Sequence, residues 1–522
     1  MLVYDFNYVL SFIFLFPFVG AVITYILTKY VVKEQMAKML AVLFTGLTFL
    51  ITLYAAYAYM GLNFNGDKSL FLLGLTDKVS WVDQIGINYF LAVDGLSLPL
   101  VVLSGFVSLA AVLASPRDIE RAPLYYALVL LLETGVYGTF MALDFFLFFI
   151  CWEIVLVPMF FLIGIWGGPK REYAAIYFFI YTHVASLVLL LGILGLWVSN
   201  FLATGVKTFD MTKLAGANLV GGLTSLIFVA MFFGFMVKVP TAPFHTWLPL
   251  AHVEAPAPIS MILAGLLLKM GGYGIIRVNL MILPGLFKQF AVPIAVLGII
   301  SLFWGAFVAM KQSDLKKLVA YSSVAHMGMV LIGAAITAAT GDPIGLVGAE
   351  FMMIAHGVIS PMLFNICGVI QHSTETREIS LLRGLTNKMP NLSGLLVFAS
   401  MASLGLPALA GFVSELYVFL ALFSWKQTFF GITIPWFAFL SILGVVVTVA
   451  FYLWMLQRIV WGEPTETVQK AHMPHSWEYT SLWLLVIPIV LLGIMPFILI
   501  NPLTDSFQNI ADLALNALRI IV

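Results

Sequence analysis

The stretch Met236–Ser260, MVKVPTAPFHTWLPLAHVEAPAPIS, interrupts one long apolar run of the chain and leads directly into another. It places Lys238 near its start and then carries five prolines and two histidines. Proline has no amide donor and its ring clashes with the preceding helical turn. Pro240 and Pro243 therefore predict that a helix breaks directly after the lysine. The alternative is an ordinary helix end followed by a loop.

The composition shows that the runs on either side of this stretch belong to a membrane protein. Of the 522 residues, 62% are hydrophobic and only 10% are charged, whereas a soluble domain has about 25% charged residues. Apolar runs of roughly 18 or more residues are typical of transmembrane helices. The sequence predicts an all-α polytopic protein with about fourteen spans. The first run has no basic flank or cleavage site, so we expect it to be a retained helix.

The remaining composition argues against several classes of ligand. The net charge is zero, which gives no reason to expect nucleic acid as a partner. The two cysteines, Cys151 and Cys367, are far apart, and this spacing is not that of a zinc or iron–sulfur site. The sequence has neither a dinucleotide-binding glycine motif nor a P-loop. We therefore expect no metal and no cofactor on this chain, with the lipid bilayer as its surroundings.

The distribution of basic residues between loops predicts the topology. Fifteen lysines and arginines lie at or near loops that follow odd-numbered spans, and eight lie on the opposite side. Cytoplasmic loops carry the excess of positive charge. The N-terminus is therefore predicted to lie outside the cytoplasm, and an even number of spans returns the C-terminus to the same side. The predicted location is a prokaryotic plasma membrane.

Ionisable residues inside the apolar runs are the candidates for function. A charge at the bilayer centre costs about 2.5–3.5 kcal/mol on insertion scales, and such residues mark proton relays and ion pathways. The alternative is a set of buried ion pairs that fix helix register, but acids and bases on many separate spans favour a polar path. The candidates for a proton relay are Glu153, Lys238, Lys269, His326, His356 and Glu415. Three further residues are predicted on the same polar axis: Glu133, His245 and His252.

A second break resembles the first. The segment SLGLPALAGFVSE, residues 403–415, places Pro407 and two glycines ahead of Glu415. The two breaks fall in predicted spans seven (219–238) and twelve (394–424). Because these spans are five apart, they have opposite orientations in the membrane, as expected of an inverted repeat. The predicted units are N-terminal helices 1–3 (1–121), a first repeat of helices 4–8 (122–283), a second repeat of helices 9–13 (284–461), and helix 14 with its tail (462–522).

Four motifs carry a resemblance to a known family. They are KVPTAPFHTWLPLAHVEAPAPIS (238–260), LLLKMGGYGIIR (266–277), DLKKLVAYSSVAHMG (314–328) and WEIVLVPMFFLIG (152–164). Together they resemble the antiporter-like membrane subunits of proton-pumping NADH:quinone oxidoreductase, respiratory complex I. The second broken helix carries a glutamate, as in subunit M (chain 4), where subunits L and N have a lysine. Leu250 departs from the family, which often has an aspartate there, and this removes the acid from the end of the first broken helix.

The resemblance implies roles for the buried charges. Glu153 and Lys238 would form a pair in a first half-channel, and Lys269 would be the central relay group. His326 and His356 would connect it to Glu415, the terminal exchange group, while Glu133 matches another acid of the axis.

The resemblance also implies the setting in which the chain works. Its partners would be L- and N-type antiporter-like subunits, and quinone, FMN and iron–sulfur clusters would lie on other subunits. The chain would thus pump protons as part of an enzyme without holding a redox centre. Three alternatives stay open: a subunit of an Mrp-type cation/proton antiporter, a membrane subunit of a ferredoxin- or hydrogenase-linked pump, and a passive scaffold. The sequence does not indicate the electron donor.

Overall fold

The computed structural model describes residues 8–516 apart from residues 32, 63–68, 70, 117, 217–222, 430 and 431. Within these ranges, twelve helical segments are long and apolar enough to cross a membrane. The helices are α1 (Val9–Tyr30), α2 (Met36–Met60), α3 (Ser97–Ala114), α4 (Ala122–Met141), α5 (Phe145–Ile154), α6 (Leu156–Trp166), α7 (Arg171–Thr204), α8 (Met211–Leu214), α9 (Thr224–Lys238), α10 (Trp247–Glu254), α11 (Ala257–Ile262), α12 (Leu268–Gly274), α13 (Pro284–Gln289), α14 (Ala291–Met310), α15 (Leu315–Thr340), α16 (Ile344–Thr374), α17 (Leu385–Lys388), α18 (Pro390–Ser403), α19 (Ala410–Ser424), α20 (Trp436–Ile459), α21 (Glu466–Lys470), α22 (Ser476–Ile494) and α23 (Phe497–Asn516).

The helical, multi-pass membrane architecture predicted from the sequence is confirmed. Two shorter apolar helices, α9 and α19, accompany the twelve longer segments, and they belong to predicted spans seven and twelve. The count of fourteen and the inverted repeat stay predictions. α15 and α16 form the core of the bundle, since each has 94% of its apolar window buried inside the protein.

Two antiparallel hairpins are additions that the all-α prediction did not contain. The first pairs β1 (Leu75–Val82) with β2 (Ile87–Val93), and the second pairs β3 (Gln427–Phe429) with β4 (Ile432–Ile434). Both lie in connections between apolar helices. The first hairpin leads into α3, so it fixes Asp94 at the start of that helix.

The first break is present where the prolines predicted it. α9 ends at Lys238, and regular helix resumes only at Trp247. The interrupted backbone finds partners inside the protein: the Ala242 amide donates to the Ser301 hydroxyl (3.0 Å), and the Trp247 indole donates to the Val237 carbonyl (2.9 Å). Non-helical backbone at membrane depth persists where such partners satisfy it.

The second break separates α18 from α19 over residues 404–409. Gly405 has a φ of +79°, a conformation that glycine adopts without strain. A Cβ atom at this position would collide with the Glu415 carboxylate. The break therefore makes room for the acid that follows it.

A third irregularity lies in the fully buried span Ala257–Leu280. Two π-helical segments, Leu263–Leu267 and Ile275–Leu280, flank Lys269 on either side. π-Helical segments are rare, and they frequently occur at functional sites. The sequence analysis did not predict them.

Candidate functional site

Lys269 lies at the centre of the buried polar residues. Its Nζ donates to the carbonyl of Ala264, in the first π-helical segment, at 2.6 Å. The same atom lies 2.6 Å from Nδ1 of His356. Because an imidazole nitrogen that faces an amine donor acts as the acceptor, the ring proton of His356 is on Nε2. Nε2 then donates to the Ser323 hydroxyl at 3.0 Å.

His326 extends this arrangement toward the second break. Its ring centroid lies 5.5 Å from that of His356. Nε2 of His326 donates to the carbonyl of Ser403, the last residue of α18, at 3.0 Å. Its Nδ1 has no hydrogen-bond partner among the described residues. This histidine can therefore still accept a proton on the nitrogen that is free.

A small cavity joins the histidines to Glu415. Its walls include His326, His356, Ser403 and Glu415, and it offers about 10 Å³ to the centre of a water molecule. This is roughly the space that one ordered water needs. The structure thus brings four of the predicted residues into one row: Lys269, His356, His326 and Glu415. We refer to these four residues as the relay line.

The two residues expected to pair in the first half-channel have other neighbours. Oε2 of Glu153 lies 2.8 Å from Nδ1 of His183 on α7. Lys238 Nζ sits 4.7 Å from the ring centroid of Trp152 and has no hydrogen-bond partner in the described part of the chain. The direct Glu153–Lys238 contact is therefore not formed in this conformation. The sequence analysis missed His183, although a histidine within an apolar run was a signal for it.

The additional residues of the predicted polar axis are buried and poorly partnered. Both carboxyl oxygens of Glu133 lack a hydrogen-bond partner among the described residues. The ring of His252 stacks on Phe364 at 4.2 Å, and both of its nitrogens are likewise unpartnered. His245 accepts from the Trp304 indole at 3.0 Å. Their roles stay predictions.

Two of the basic residues counted above as loop charges, Lys316 among the fifteen and Arg277 among the eight, are buried. Arg277 forms an ion pair with Asp94 in the protein interior. Lys316 donates to the Ala255 carbonyl at 2.5 Å. In the sequence these two residues stand at the ends of apolar runs, which suggests exposed positions. They are buried because other helices pack around them in the folded structure. One basic residue is thereby removed from each side of the membrane, so the difference in loop charge between the two sides is unchanged.

Among the described residues, no group of three or more His, Cys, Asp or Glu side chains is arranged to bind a metal ion. The relay line instead consists of lysine, histidine and glutamate side chains, which can gain and lose protons. Broken helices with charged residues at membrane depth are typical of ion-coupled transport proteins. The fold and the site define a protein of this class.

The model of the NADH:quinone oxidoreductase/Mrp antiporter transmembrane family matches residues 142–444, and the chain belongs to this family. It is 38% identical over 518 residues to F(420)H(2) dehydrogenase subunit M of Methanosarcina mazei, covering 97% of this chain and 98% of the relative. It is 40% identical to NAD(P)H-quinone oxidoreductase chain 4 1 of Synechococcus elongatus, covering 91% and 86%. A chain of respiratory complex I from Thermus thermophilus superimposes with a TM-score of 0.84 at 26% identity, covering 97% and 99%. The resemblance to the M-type antiporter-like subunits is confirmed.

Proposed function

We propose that this chain is a proton-translocating membrane-arm subunit of a complex I-type oxidoreductase, which couples electron transfer to quinone with proton pumping. The relay line is the observation that supports this function most directly. The relatives named above, a chain 4 and a subunit M, support the same assignment. The chain would act as part of an enzyme, with quinone, FMN and iron–sulfur clusters on other subunits.

The geometry suggests how a proton crosses the centre of the subunit. Lys269 releases a proton to Nδ1 of His356, and the ring releases another from Nε2. His326 accepts at its free Nδ1, and a water in the small cavity carries the proton to Glu415. The first step uses a contact of hydrogen-bond length, and bridging water would carry the proton between the two histidines and on to Glu415.

Glu153 would control the entry side of this path. In the described conformation its carboxylate is held by His183, and Lys238 lies against an aromatic ring. Rotation of the carboxylate toward Lys238 would favour the ammonium form of the lysine, because an opposite charge nearby stabilises the charged group. Return of the carboxylate to His183 would promote release of the proton toward Lys269.

The subunit would lie between L- and N-type antiporter-like neighbours in a prokaryotic plasma membrane, with both termini outside the cytoplasm. Two related assignments remain as alternatives: an Mrp-type antiporter subunit, and a membrane subunit of a pump linked to ferredoxin or hydrogenase. Glu415 favours the M-type assignment. The composition of the purified complex distinguishes them, because peripheral iron–sulfur subunits accompany only the redox-driven pumps.

Replacement of Lys269 by alanine tests the proposed function. We expect the Lys269→Ala complex to assemble but to lose quinone-coupled proton pumping, because the remaining groups of the relay line are then separated from the entry side. Pumping is measured in vesicles with a pH-sensitive dye. Lys426→Ala is the matched control, since that lysine is exposed in a connection. Normal pumping by an assembled Lys269→Ala complex would contradict the proposal.

A further inference from the structure

Glu350, on α16, is a buried acid that the relay line does not use. Its side chain is fully buried, and neither carboxyl oxygen has a hydrogen-bond partner among the described residues. An isolated ionised carboxylate is far more costly to bury than a neutral acid. Such a site is suited to hold a proton rather than a charge. A buried polar group without partners is uncommon enough in proteins to need an explanation.

Helix packing fixes the depth of Glu350 relative to the span Ala257–Leu280. α16 runs alongside this span in the opposite direction. A Cβ atom at Gly265 would lie 3.3 Å from the Gly357 carbonyl, and one at Gly272 would lie 2.6 Å from the Met353 sulfur. When this pairing of residues is extended along both helices, Glu350 lies at a membrane depth between those of Tyr273 and Arg277.

A buried ion pair lies at that level. Arg277 donates from Nη1 to one oxygen of Asp94 (2.7 Å) and from Nη2 to the other (2.6 Å), a bidentate arrangement. Its Nε donates to the Tyr273 hydroxyl at 3.1 Å. The charges of both members of the pair act on Glu350. Because Lys269, Tyr273 and Arg277 follow one another at four-residue intervals, they lead along one side of the helix away from the relay line.

A cavity begins on the far side of the ion pair, at the end of the bundle where α23 packs. It has a volume of about 370 Å³, and its walls include Tyr59, Leu72, Asn501 and Ser506. Gly95, the neighbour of Asp94 in the chain, lies so close to Ser506 that a Cβ atom would collide with that side chain. A residue of the cavity wall, Ser506, therefore packs against the chain neighbour of Asp94. The loop charges assign this end of the bundle to the outer side of the membrane.

We propose that Glu350 is the proton-holding group of a second, outward branch, which runs from Lys269 through Tyr273 and past the Arg277–Asp94 pair into the α23 cavity. Glu350 first releases its proton through bridging water to the cavity. Its carboxylate then takes the proton of the Tyr273 hydroxyl, again through water, and a proton from the relay line replaces the one that Tyr273 has lost. Arg277 stays charged and holds Asp94 as its carboxylate, so Glu350 is the acid that exchanges. The branch rests on the proposed function and adds an exit that does not use Glu415.

Substitution of Glu350 by glutamine tests the branch, because glutamine keeps the shape of the side chain but cannot release a proton. In the assembled complex we expect fewer protons pumped per electron pair. We also expect the infrared difference spectrum under turnover to lose one carbonyl band of a protonated carboxylic acid. Glu350→Asp should restore both. Glu478→Gln is the control, since that buried carboxylate pairs with His372 at the opposite end of α16.

Comparison with Lys269→Ala separates the two proposals. Loss of pumping in Lys269→Ala, with pumping and the infrared band unchanged in Glu350→Gln, would overturn the branch alone. Unchanged pumping in both variants would overturn the proposed function itself.

Thiol labelling tests the exit of the branch. The native cysteines Cys151 and Cys367 are buried, so an Asn501→Cys variant should be the site on this chain that reacts with a membrane-impermeant thiol reagent. We expect reaction when the reagent is added to the outer face of vesicles that hold the assembled complex. Absence of reaction from that face would contradict an outward opening.

Discussion

At the scale of single residues, the position of Glu415 depends on two local features. The break over residues 404–409 directly precedes α19, in which Glu415 is the sixth residue, and Gly405 leaves the space that its carboxylate occupies. A water-sized cavity connects it to His326 and His356. We therefore propose that the acid exchanges a proton with His326 through one water.

Replacement of Glu415 by glutamine should leave the complex assembled while proton pumping and quinone reduction both fall. Glutamine keeps the shape and the hydrogen-bonding capacity of the side chain, but it cannot exchange a proton. A structural glutamate would behave differently, since loss of its charge would strand a cationic partner at a cost of about 3–5 kcal/mol. Pumping and quinone reduction are measured together on the purified complex. Normal pumping, or failure to assemble, would contradict the exchange role.

At the scale of elements, irregular helices decide where the chemistry lies. Where a regular helix is widened or interrupted, carbonyls lose their usual donor, the amide four residues further on. In the π-helical segment Leu263–Leu267 the Ala264 carbonyl accepts from Lys269, and at the second break the Ser403 carbonyl accepts from His326. Both acceptors arise where the regular helix is interrupted. The interruptions therefore orient Lys269 and His326, two members of the relay line.

The geometry of the second break predicts the effect of a single methyl group. Gly405→Ala would force a left-handed conformation on an L-residue, which costs about 1–2 kcal/mol, and its Cβ would push the Glu415 carboxylate away. We expect a lower melting temperature and slower proton pumping. Gly394→Ala is the matched control: this glycine lies in α18, and its Cβ would meet open space. The control should be stabilised by about 0.5–1 kcal/mol, and a Gly405→Ala complex that matched it would count against the steric argument.

At the scale of the whole molecule, the bundle encloses its charges and exposes its apolar surface. The relay line and the Asp94–Arg277 pair lie in the centre, around α15, α16 and the span Ala257–Leu280. Peripheral helices such as α1, α2 and α22 have less than half of their apolar window buried. Such exposure is expected of helices that contact lipid or neighbouring subunits.

The charge bias of the loops predicts that both termini lie outside the cytoplasm, although the terminal residues themselves are outside the described ranges. A C-terminal fusion to a reporter that is active only in the cytoplasm should therefore be silent. A fusion to a reporter that requires export should be active, and it serves as the control for expression. Activity of the cytoplasmic reporter would show that the orientation is the reverse of the predicted one. The α23 cavity would then open to the inner side of the membrane.

The sequence by itself determined the class of protein, the family and the two breaks. Apolar runs and prolines are local properties, and their physical consequences do not depend on distant parts of the chain. The motifs around Lys238, Lys269 and Glu415 were sufficient to identify the family. The row of Lys269, His356, His326 and Glu415 was expected from the resemblance, and the structure supplies its distances.

Only the tertiary structure decided which buried groups meet. Asp94 and Arg277 are 183 residues apart in the chain, yet they form a bidentate ion pair. Glu153 contacts His183 in place of Lys238, and the Glu350 carboxyl oxygens have no hydrogen-bond partner within the described part of the chain. Side-chain neighbours depend on how separate helices pack. Composition and periodicity predict that a helix exists, but they carry no information about the rotation and depth at which it meets another. For this reason most residues of the polar axis could be predicted from the sequence, whereas their contacts could be identified only in the folded structure.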